Sequence, residues 1–252
     1  GKAYTDVKSE YNFGTESAPD WKEFTPIKSV DDFNNISKDP SGCYVLTDDI
    51  DFENSEVASI GLITGYFGGN GHTIRNVKIN RNEDYSAGLF ASNSGVIADL
   101  YVENARIVGG IGVGGICGSN GAVIRNCAFS GTVEGTANVG GICGSNMLGT
   151  VENCYAIGDI TGEQNLGGVC GISNNSTFKN CYSACRVSSN GGYLGSMFGG
   201  YDSADSVKGC YYDKNVCKLG AFGSADGSSA DGTGDFEATG LTTQELCEAV
   251  PS

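Results

Sequence analysis

The chain has 252 residues, among them 40 glycines, only 4 prolines and 11 cysteines, and its formal net charge is −15. So acidic a chain lacks the concentrated Lys and Arg that grip a polyphosphate, which argues against nucleic acid as a partner. No run approaches the ~20 apolar residues of a membrane-spanning helix, and abundant glycine without proline describes a β protein of many tight turns rather than a linker.

Gly1 in place of Met predicts a trimmed start, and nothing there resembles a signal peptide. The first predicted element is a short helix over residues 29–36. Ser29 is its N-cap, Asp32 stands three residues on, and Val30, Phe33 and Ile36 share one face. This helix is expected to cap the N-terminal end of the β domain.

Next comes an acidic cluster, Asp48, Asp49, Asp51, Glu53 and Glu56. Carboxylates so placed could hold Ca²⁺ or supply the paired acids of a glycosidase, but EF-hand spacing is absent, and solvated edges of an acidic chain are the favoured reading. His72, the one histidine, sits in Gly69-Asn70-Gly71-His72-Thr73, a turn entering a strand. A catalytic triad would have to be built on it, and the sequence shows no HExxH motif.

From residue 86 the chain repeats. Val113-Gly114-Gly115-Ile116-Cys117 recurs as Val139-Gly140-Gly141-Ile142-Cys143 and as Leu166-Gly167-Gly168-Val169-Cys170, with degenerate copies at 86–91 and 194–199. A second block travels with it: Arg125-Asn126-Cys127, Glu152-Asn153-Cys154 and Lys179-Asn180-Cys181, echoed at Lys208-Gly209-Cys210. The period is about 27 residues. Apolar residues within one unit alternate over short stretches, which predicts strands, and Asn126, Asn153 and Asn180 fall where a bend with positive φ is tolerated.

A unit this small cannot bury its own apolar side, so like residues must stack coil upon coil. The expected fold is all-β, a right-handed parallel β-helix (β-solenoid) of about six or seven coils. Cys117, Cys143 and Cys170 form one inward column; Cys127, Cys154, Cys181 and Cys210 form a second; Val133, Ile160, Val187 and Val216 form a third, after a one-residue shift near Arg106. Propeller blades need a longer period, and leucine-rich or helical repeats a different pattern. Three parts result: a lead-in and cap at 1–41, the β-helix at 42–218, and a Gly/Ser/Asp-rich tail at 219–252 with a short helix over 242–249.

The seven column cysteines are expected to be buried thiols, since side chains stacked in parallel suit a disulfide poorly. Cys43, Cys185, Cys217 and Cys247 lie outside the columns and remain open to pairing. Zinc is not expected, because the sequence holds neither CxxC pairs nor a second histidine.

The Gly-Gly-Ile-Cys-Gly-Ser-Asn and Asn-Cys-Tyr-Ala runs resemble the GLUG motif of bacterial cell-surface proteins. The likeness spans residues 87 to about 215, and the segments around 42–51 and 69–74 are similar to the stretch preceding such repeats. It implies exported, adhesin-type proteins, some of which carry the repeats beside an immunoglobulin-cleaving metallopeptidase domain, and it implies no shared catalytic residue. Cysteine stands here where the motif often has a plain aliphatic residue.

Two function classes are open. One is an extracellular or cell-surface adhesin-like module, binding or spacing, that presents a solenoid to a host or matrix glycan or protein. The other is a β-helical polysaccharide lyase or glycoside hydrolase. The enzyme reading is the weaker, because Thr132, Asp159, Arg186 and Asn215 share no chemistry from coil to coil. No cofactor is implied. The candidate ligand-binding residues are Tyr155, Tyr182 and Tyr211, which come directly after the inward cysteines and so point outward. Glu152, Lys179 and Lys208, beside them in an outward polar column headed by Arg125, complete the candidate ligand-binding set, while ring stacking that stabilises the solenoid without any ligand is the favoured reading of the tyrosine row.

Overall fold

The structure, a computed structural model, describes residues 10–81, 86–223, 229–230 and 236–249. One coil shows how the repeat folds. Residues Ala137–Gly140, Cys143–Met147, Thr150–Glu152 and Tyr155–Gly162 are four strands separated by short corners. Each pairs in parallel with its counterpart in the next coil: Val139 with Leu166, Cys143 with Cys170, Val151 with Phe178, Ile160 with Val187. The result is a parallel β-solenoid of about seven coils.

Glycine and asparagine make the corners. Asn126, Asn153 and Asn180 have φ of 52°, 52° and 51°, and Gly209 takes over at 60° in the next coil. Asparagine tolerates this left-handed conformation better than other residues with a Cβ. It also bonds along the stack: the amide of Asn153 donates to Asn126 Oδ1 at 3.0 Å, and that of Asn180 to Asn153 Oδ1 at 3.0 Å. A second, buried ladder runs from Asn93 to Asn120 at 2.7 Å and from Asn120 to Asn146 at 2.8 Å. Polar groups inside the coil are thus satisfied by their own kind one level away.

The core is a set of columns. Ile60, Phe90, Cys117, Cys143, Cys170, Phe198 and Phe222 stand in register. Cys127, Cys154, Cys181 and Cys210 make a second buried set, continued by Ala238 beside Cys210. The one-residue shift expected near Arg106 is a bulge between Val102 and Ala105, beyond which Ile107 pairs with Val133. Asn104 absorbs the extra residue at φ 50°.

Four expectations need correction. Val216 does not continue the third column: the strand Ser206–Asp213 ends before it, and its side chain is exposed. The stretch after 218 is not uniformly irregular, because Phe222 stacks on Phe198 at 5.2 Å and the strand Phe236–Leu241 pairs with Ser206–Asp213; residues 224–228 and 231–235 lie outside the described residues. Arg125 does stand in the outward column, in register with Glu152, but it is not exposed, because the N-terminal hairpin covers it. It is 7 % exposed and donates from Nη2 to the carbonyl of Phe13. Cys185 is fully buried, in register with Gly131 and Gly158 of earlier coils, and so is withdrawn from surface disulfide chemistry.

Ser29 accepts from the Asp32 N–H at 3.2 Å and caps a helix, α1, over Val30–Asn35. Phe33 drives into the first coils against Phe52, Phe67 and Phe90. Ahead of α1, an antiparallel hairpin of Glu10–Asn12 and Trp21–Glu23 lies along the flank of the solenoid, with Phe13 buried against Tyr66 at 5.0 Å. A second helix, α2, occupies Thr243–Ala249.

Candidate functional site

Strand Tyr155–Gly162 and its neighbours alternate side chains inward and outward, as half-buried strands do. Cys154, Ala156 and Ile160 go in; Tyr155, Ile157 and Asp159 go out. Register then stacks like on like. Tyr155 pairs with Tyr182 and Tyr182 with Tyr211, so the three predicted tyrosines do form one outward column. The column extends beyond those three: Tyr101 pairs with Ala128, and Ala128 with Tyr155. Counting the same interval back from Tyr155 through Ala128 would have found it.

Tyr155 is 42 % exposed and Tyr211 41 %. Among the described residues no two of these rings are in aromatic contact. Stacking between the rings is therefore not what holds them in place. Ile157, two residues along the same face, is likewise largely exposed. Tyr182 is more covered, and a hollow of about 260 Å³ between it and α2 is lined by Thr243, Leu246 and Cys247. Partial burial, and then the nearby Tyr101 and Glu103, push the Tyr155 phenol up from its ordinary value; burial and then Asp213 do the same to Tyr182. Both hydroxyls stay protonated donors near neutral pH.

The polar column stands on the other side of the asparagine corner. Glu152 pairs with Lys179, and Lys179 with Lys208, in the short strands before Asn153 and its counterparts. Among the described residues no ion pair joins them. The charges screen and solvate that edge. Asp159 and Arg186, on the tyrosine side, do pair, at 2.6 Å.

The remaining chemical candidates are occupied in structural roles. Asp49 accepts from the Thr73 N–H at 3.0 Å and from Arg75 Nη2 at 2.6 Å, and lies 3.3 Å from His72 Nδ1. Asp51 accepts from Asn76 Nδ2 at 2.8 Å. Asp49 and Asp51 thus tie their coil to the next. All eleven cysteines are free thiols, nine of them buried, with Cys43 half-buried and Cys247 exposed. No helix among the described residues is long and apolar enough to cross a membrane.

The stacked parallel strands and Asn corners define a β-solenoid repeat domain with an exposed aromatic row. Two of its coils are matched by the model of the GLUG motif, at residues 109–134 and 135–161. A curated relative is halomucin of Haloquadratum walsbyi, 36% identical over 107 residues, a match that covers 36% of this chain and 1% of that protein. Among solved structures, a crystal structure described as a candidate immunoglobulin A1 protease from Bacteroides ovatus superposes with a TM-score of 0.59 at 20% identity, covering 93% of this chain and 87% of that one. At that identity the likeness is one of fold.

Proposed function

We propose that the chain is a module of a surface or secreted protein, an adhesin-like spacer that offers the face of Tyr101, Tyr155, Ile157, Tyr182 and Tyr211 to a glycan or protein partner. The carrying observation is the register of that row. Amphipathic rings held on a stiff sheet, without ring-to-ring contact, leave apolar area and hydroxyl donors for a partner at small entropic cost. The likeness to halomucin supports a surface or secreted setting. A lyase or hydrolase is less well supported: Asp159 on this face is tied to Arg186, and Asp205 and Asp213 are buried acceptors of Ser173 and Thr243.

The test replaces Tyr155, Tyr182 and Tyr211 together by serine, and measures melting temperature and attachment to immobilised glycans and matrix proteins. Lost attachment with melting little changed is the expected result. Lowered melting with attachment intact rejects the face as a binding surface.

A further inference from the structure

A second concave surface lies on a different face, where the coils carrying Cys143, Cys170 and Phe198 meet. It is a groove of about 500 Å³, within the size of small-molecule sites, roughly 300–1,000 Å³. Met147, Tyr193 and Tyr201 supply apolar walls, and Gln164, Asn174 and Asp202 polar ones.

Three features set it apart from an ordinary surface crease. Tyr201 is 47 % exposed, yet its ring is fixed from behind by Phe222 at 4.9 Å and Phe236 at 5.4 Å, so it is a rigid platform. The Tyr193 and Tyr201 hydroxyls and the Gln164 amide have no hydrogen-bond partner among the described residues, whereas Asn174 is oriented by donating to Asp202 Oδ2 at 3.2 Å. The third feature is strain at the rim. Leu148 comes after Met147 with φ of 64° and is 71 % exposed, and its N–H donates to the carbonyl of Asn174 at 3.0 Å. In the next coil the matching corner residue is Asn175 at 47°, the residue type that tolerates this region. Leucine there gains nothing from burial and strains the backbone, and such strain gathers at binding sites.

We propose that this groove binds a neutral pyranose residue of a glycan. The C–H face of a pyranose is apolar and matches a tyrosine ring, while its ring of hydroxyls needs both donors and acceptors at the edge, which Gln164, Asn174 and Asp202 provide. Asp202 is the charged residue of the lining, in a chain of net charge −15, so uronate and sulfate groups are repelled. The site is separate from the Tyr155 face and does not rest on it.

The experiment titrates the protein with neutral gluco-, galacto- and manno-oligosaccharides and with uronate- and sulfate-bearing ones. Wild type binds at least one neutral member. Tyr201→Ala abolishes that binding; because it also removes packing on Phe222, Tyr193→Phe and Gln164→Ala are measured beside it. Each of these two leaves melting unchanged and weakens binding several-fold, up to about tenfold. Leu148→Asn raises the melting temperature and weakens binding, whereas the triple tyrosine-to-serine variant of the other face leaves this binding intact. No binding to any neutral member, preference for the anionic ones, or neutral binding that survives Tyr193→Phe, Gln164→Ala and Leu148→Asn unchanged overturns the proposal.

Discussion

Arg186 reaches one coil back to clasp Asp159, Nε donating to Oδ1 at 2.6 Å and Nη2 to Oδ2 at 3.0 Å. The paired hydrogen bonds fix the register of two strands from outside the core. They also hold the Asp159 carboxyl below its ordinary value of 3.8, chiefly through the hydrogen bond from Arg186. A depressed folded value means stability that is present above the unfolded pKa and is lost as pH falls through the folded one. Asp159→Asn is therefore expected to melt slightly below wild type at neutral pH and to converge with it below the carboxylate range. Urea midpoints at pH 7 and pH 3 check this, and an equal gap at both pH values contradicts it.

The buried thiols make a second prediction. Burial raises Cys117 and Cys154 well above the usual thiol value, and pushes Cys185 up to about 12. Thiolate is the reactive form, so these groups are inert while the coil is closed. Native alkylation followed by mass spectrometry should modify Cys247 first and Cys43 slowly, with the nine others labelled only in denaturant. Cys154→Asp leaves an unpaired carboxylate inside, at a cost of several kcal/mol against a total stability of about 5–15 kcal/mol. Unchanged melting of that variant would mean the column is not buried.

Asn153 tests the corner. Its side chain links Asn126 below to Asn180 above, and its φ is 52°. Alanine there loses both hydrogen bonds and adds left-handed strain of roughly 1–2 kcal/mol, whereas glycine loses the bonds alone. Thermal melts should rank wild type above Asn153→Gly, and Asn153→Gly above Asn153→Ala. Alanine equal to glycine would show that the bonds matter and the conformation does not.

The N-terminal hairpin makes the fourth prediction. Arg125 holds it through the Phe13 carbonyl, and the Tyr11 hydroxyl donates to Asp99. Arg125→Ala removes a charged hydrogen bond, worth about 1.5–3 kcal/mol where both partners are buried. Trypsin should then cut after Lys22 faster, while the solenoid itself melts nearly as before. Cleavage at the wild-type rate would show that Phe13 alone secures the hairpin.

What could be read from the sequence was what repeats. Cys117, Cys143 and Cys170 recur with their neighbours, so the columns, the corners at Asn126, Asn153 and Asn180 and the outward tyrosines all derive from one interval. What occurs only once stayed hidden. The contact between Phe13 and Arg125 joins residues 112 apart in sequence and has no counterpart in another coil. Phe222 and Phe236 sit amid glycine, serine and aspartate, where local composition speaks for a loop and only the edge of the stack gives them something to cover. The groove around Tyr201 was invisible for the same reason, since its walls come from corners that differ from coil to coil.

The phenylalanines are not spread evenly along the solenoid. One knot of rings, Phe33, Phe52, Phe67 and Phe90, lies at the first coils. Another, Phe178, Phe198, Phe222 and Phe236, lies at the last. Between them the same register position narrows to Cys117, Cys143 and Cys170. A stack of coils peels from its ends, where a terminal coil has a neighbour on one side only. Placing the bulkiest contacts at those two ends stiffens the coils that a pulling force reaches first. Tension passed along a longer chain would therefore meet its greatest resistance at the module's two junctions, with the slimmer thiol-lined middle sheltered between them.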